Sequence, residues 1–65
     1  MINAIEQQIE ELNQQVVQLH QAGRYSEAEP LALQACELAK QHLSEHHPAM
    51  AISLSNLAEL YRDGV

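Results

Sequence analysis

Phenylalanine and tryptophan are missing from the chain, and tyrosine occurs only twice. Sheet proteins lean on aromatic and β-branched side chains, so this scarcity argues against a β-rich fold. The one cysteine, Cys36, excludes an internal disulfide framework. Positive charge is scarce too: three Lys and Arg stand against nine Asp and Glu, a net −6 at pH 7. Nucleic acids and anionic membranes both require a basic face, so neither is expected as a partner. No apolar run approaches the roughly 20 residues that a spanning helix needs. Met1 to Gln8 lacks the basic-then-apolar layout of a signal peptide. A free thiol without an export signal points to the cytoplasm. No glycine-rich phosphate loop, nucleophile elbow or Cys-x-x-Cys pair occurs. The chain is therefore not expected to be an enzyme, and no catalytic residue, cofactor or metal ligand is assigned.

What the chain does contain is helix-forming material. Hydrophobic residues make up 46 % of its 65 residues, too many for a disordered tail. Ala, Leu, Gln and Glu dominate, all good helix formers. At 7.3 kDa it is read as a single domain over residues 1–65. A chain of this size buries only about 60 % of its unfolded surface, so its core is marginal.

Three amphipathic segments follow one another. Ile2, Ile5, Ile9, Leu12, Val16 and Leu19 are spaced alternately three and four apart, one stripe of a helix over 2–21 that ends at Ala22-Gly23. Residues 2 to 9 extend beyond what the second helix alone needs, so part of this stripe is expected to meet another chain. A second helix spans 25–43, with Ser26 and Glu29 in capping-box spacing and Ala28, Leu31, Ala35, Leu38 and His42 or Leu43 as its stripe. Ala32, Cys36 and Ala39 widen that stripe. Pro30 fits a first turn capped by Ser26, or kinks a helix that begins earlier. The stretch from Ser44 to Pro48 breaks the chain, and a third helix spans 48–62 with Met50, Leu54, Leu57 and Tyr61 on one stripe. Connections this short make neighbouring helices antiparallel.

Shifted by 42 positions, Leu12 falls on Leu54, Gln14 on Asn56, Val16 on Ala58 and Leu19 on Tyr61. The stretch Leu19, Gly23, Tyr25, Ala28 and Ala35 resembles the core of a tetratricopeptide repeat. Gly23 to Leu31, His47-Pro48, and Leu54 to Arg62 are similar to the longer repeats of the kinesin light chain type. In place of a usual large aromatic stands Ala32, and Gln15 replaces a usual leucine. The resemblance implies an all-α fold: an antiparallel hairpin plus a third helix, about one and a half repeats of an α-solenoid. It implies a protein or peptide partner on the surface lined by the first helix of each repeat. On that surface would lie Asn13, Val17, His20 and Gln21, together with Ser55, Asn56, Glu59 and Arg62. The lysine and asparagine set that clamps a peptide carboxylate in some relatives is not evident.

His42 and His46 lie four apart, but a helix ending near Ser44 separates them across a turn, which favours a structural reading over a metal site. Cys36, with no nearby base, reads as a small buried hydrophobe. The third helix has no following helix to cover Ile52, Leu57, Leu60 and Tyr61. Leaving such side chains wet forfeits about 1.5–3 kcal/mol each, so a two-fold homodimer through them is expected. The functional expectation is a non-enzymatic protein–protein interaction module. The alternative is a structural helical assembly fragment of a longer solenoid, with no ligand of its own. A helix-turn-helix nucleic-acid reader is disfavoured by charge.

Overall fold

The computed structural model describes residues 4–64. Three helices form: α1 (Ala4–Gln21), α2 (Tyr25–His42) and α3 (Pro48–Asp63). All residues in regular structure among those described are helical. The expected start of the first helix, with Ile2, lies outside the described residues.

Local chemistry sets each helix end. After α1, Gly23 has φ +76°, the left-handed region that a side chain disfavours. Its N–H reaches the His20 carbonyl at 3.0 Å and the next N–H, of Arg24, reaches that of Leu19 at 2.8 Å. This double bond pattern is a Schellman cap. It delivers the chain straight into α2, whose cap is Arg24 and makes no side-chain capping bond. The expected Ser26–Glu29 capping box is therefore not formed: Ser26 is already inside the helix. Arg24 instead pairs with Glu27 at 2.9 Å. Pro30 consequently stands beyond the first turn, and the Ser26 carbonyl has no amide to receive there. Before α3, His47 Nδ1 accepts the Ala49 N–H at 3.0 Å, and Pro48 occupies the first helical position.

Two clusters make the core. At one end Ile9 and Leu12 of α1 meet Ala35 and Ala39 of α2 and Ala49 of α3. At the other, Val16 meets Ala28, Ala32 and Leu60. Early α2 thus packs with late α1 and late α3, so α2 is antiparallel to both. The α2 alanines at 28, 32, 35 and 39 lie four, three and four apart and are at most 1 % exposed. They let both neighbours approach its backbone closely. Ala32, in place of a large aromatic, is itself buried against these partners. His42 points to solvent, leaving Leu43 to pack at that end.

On α3 the inward stripe differs from the expected one. Ala49, Ser53 and Leu60 are buried, whereas Leu54 and Tyr61 are 49 % and 51 % exposed. Met50 and Leu57 are half-buried at the edge of the stripe. The helix is rotated so that Ala49, Ser53 and Leu60 face α1 and α2, while Leu54 and Tyr61 stand to the side.

Candidate interaction cleft

Three contacts tie α1 to α3. Glu6 Oε1 meets His47 Nε2 at 3.1 Å, the Ser53 hydroxyl donates to Asn13 Oδ1 at 3.2 Å, and His20 Nε2 meets Asp63 Oδ2 at 2.7 Å. Position along both helices rises together, so α1 and α3 run parallel. The sequence separations are 41, 40 and 43 residues, bracketing the shift at which the sequence resembles itself. The middle tie is buried, and the Ser53 hydroxyl shares its single proton with the Ala49 carbonyl at 2.9 Å. The outer ties are half-buried histidine–carboxylate pairs. His47 uses both ring nitrogens, capping α3 through Nδ1 and meeting Glu6 through Nε2. His20 also lies against the Tyr25 ring, with centroids 5.3 Å apart. Its hydrogen bond is the main cause holding the Asp63 carboxyl below its ordinary value; Arg62 adds to this and partial desolvation opposes it.

Beside these ties the two helices enclose a trough. Its larger part, about 470 Å³, is lined by Asn13, Val17, Ile52 and Asn56, with Glu10 on one wall and Pro48 at its foot. A smaller part, about 130 Å³, is lined by Val17, His20, Gln21, Asn56 and Glu59. Val17 and Asn56 border both parts, making them continuous. The floor is mostly apolar: Val17 is 40 % exposed and Ile52 52 %. The Asn56 amide nitrogen, Nδ2, is buried without a hydrogen-bond partner among the described residues.

The residues expected on a ligand-facing surface fall into two groups. Asn13, Val17, His20, Gln21, Asn56 and Glu59 come together around the trough. Ser55 and Arg62 do not line it. At 100° per residue they lie about a sixth of a turn from Ile52 and Glu59, on the outward side of α3. Arg62 there contacts Asp63 at 3.4 Å. Sequence reasoning missed Glu10, Ile52 and the His47–Pro48 foot. The signal for Ile52 was its spacing of four from Asn56 on the helix that already held the candidate residues.

The residues expected to bring two copies together also divide. Leu60 is fully buried against Val16, Ala28 and Ala32 of its own chain. It is withdrawn from that surface because the rotation of α3 turns it inward. Leu57 is half-buried on the second cluster. Ile52 faces the trough and Tyr61 stands on the opposite side of α3, near Leu54. Elsewhere, burial raises the Cys36 thiol pKa, and the Glu37 charge raises it further, so little reactive thiolate forms. No helix among the described residues is long and apolar enough to cross a membrane. No family model, curated protein or solved structure matches the chain.

Proposed function

We propose that this protein is a non-enzymatic interaction module of the tetratricopeptide kind, which holds a peptide in the trough between α1 and α3. The observation that carries the reading is the parallel pair of helices, tied at both ends and in the middle, with an open apolar floor alongside. Parallel first helices, one per repeat, are what the family resemblance implies. An exposed trough with a few convergent polar groups is the usual form of a recognition site. The reading places the protein in the cytoplasm. It includes pairing of two copies through the side of α3 that carries Leu54 and Tyr61, both about half exposed.

Peptide phage display on the immobilised protein, followed by NMR titration of an enriched peptide, tests the binding function. The expected result is enrichment over bare matrix, with shifts concentrated at Val17 and Asn56. No enrichment, or shifts confined to other faces, refutes it. Pairing is checked by size-exclusion chromatography with light scattering. A dimer that Leu54→Glu splits is expected, and a monomer at micromolar concentration overturns that part.

A further inference from the structure

The trough has a sign. Glu10 borders its larger part and Glu59 its smaller part. Both side chains are exposed, and neither meets a cation among the described residues. No lysine or arginine lines either part among the described residues. The two nearby cationic candidates are engaged: His47 with Glu6 and His20 with Asp63. Arg62 points outward beside Asp63. The remaining bases lie elsewhere, Arg24 paired with Glu27 at the start of α2 and Lys40 near its end. Between the two free carboxylates lies the apolar floor of Val17 and Ile52. Along α3, Ile52 and Glu59 are seven residues apart, about 10 Å. That distance spans about three residues of an extended strand.

Resting on the reading above, we propose that the trough selects a cationic segment. An apolar side chain of the partner seats on Val17 and Ile52, while lysine or arginine on either side reaches Glu10 and Glu59. Charge complementarity of this kind sets which partner is accepted, and an acidic segment would place like charges together. The net charge of −6 acts in the same direction at longer range.

The test uses a fluorescently labelled peptide with a central Leu-Lys-Leu-Lys run, blocked at both ends. Matched peptides carry glutamine or glutamate in place of lysine. Anisotropy gives affinity, and the NMR signals of Val17 and the Asn56 side-chain amide give location. The lysine peptide is expected to bind tightest, the glutamate peptide weakest, and added salt to narrow the difference. Replacing both carboxylates (Glu10→Gln with Glu59→Gln) is expected to weaken the lysine peptide about fivefold and leave the glutamine peptide unchanged. Both sites are exposed, so the fold is retained, which circular dichroism verifies. If the glutamine or glutamate peptide shifts Val17 and Asn56 and binds as well as the lysine peptide, the charge proposal is wrong and the interaction reading stands. If the double substitution leaves lysine-peptide affinity unchanged, the charge proposal is again wrong. If none of the peptides shifts those signals, both readings fall.

Discussion

Replacing Asn56 with leucine should make the protein more stable. Its amide nitrogen is buried and has no hydrogen-bond partner among the described residues. Leaving such a donor unmade costs about 1–3 kcal/mol. The residue stands at the rim of the trough and is only partly buried, which favours the low end, about 1 kcal/mol. Leucine has nearly the same shape, abandons no polar group and adds apolar contact with the floor. For a domain of this size, about 1 kcal/mol raises Tm by about 4–8 °C. Thermal unfolding followed by far-ultraviolet circular dichroism reads the shift. It should be repeated at several protein concentrations, because self-association alone moves Tm. Asn56→Asp serves as the contrast: it removes the donor but buries part of a charge, so its Tm should fall. A leucine variant no more stable than the parent would refute the reasoning, since the amide would then have been satisfied all along. A residue kept at a cost to stability marks a place where something other than folding sets the choice.

Leu60→Ala should remove about 2–5 kcal/mol, because Leu60 is fully buried in the second cluster. Loss is comparable with the whole stability of a small domain, so urea titration should find the variant largely unfolded without denaturant. Gly23→Ala meets no atom within 4 Å, yet its φ of +76° remains. Only the backbone conformation is penalised, by about 1–2 kcal/mol, measurable as a lower urea midpoint with an unchanged slope. The Asp63 carboxyl has a folded pKa lowered from 3.8, chiefly by His20. Its contribution is therefore present above that value and lost as pH falls through the lower folded one. The far end of α3 should loosen in acid, and Asp63→Asn should remove that part of the pH dependence in hydrogen exchange at residues 60–64.

Over the described residues the α1 stripe was legible because its large side chains recur at a single helical phase: Ile9, Leu12 and Val16 are buried and Ile5 and Leu19 half-buried. Helix ends were legible where one residue decides them, at Gly23 and Pro48. The Ser26–Glu29 spacing misled because capping depends on where the preceding turn delivers the chain, and Gly23 places the cap two residues earlier, at Arg24. The inward face of α3 was harder to read. Size and apolarity pointed to Leu54 and Tyr61, yet the helical phase that buries Leu60 brings Ala49 and Ser53 inward with it and leaves those two at the side. The polar identity of Ser53 hid it, although its partner Asn13 was already among the candidate residues. Six of the candidate positions meet at the trough because the parallel course of α1 and α3 follows from two short connections. The free carboxylate walls needed coordinates, since pairing across helices decides which acids remain uncompensated.

The four alanines of α2 give the molecule an uneven tolerance for change. Alanine surrenders no rotamer freedom on burial, so this seam forms at little entropic cost. It also has no slack: each added methylene there must push two helices apart. Substitutions are better tolerated at the rims, where Leu33, Leu54 and Tyr61 stand half in water. New partners can be acquired or shed at those margins while the central seam stays as it is.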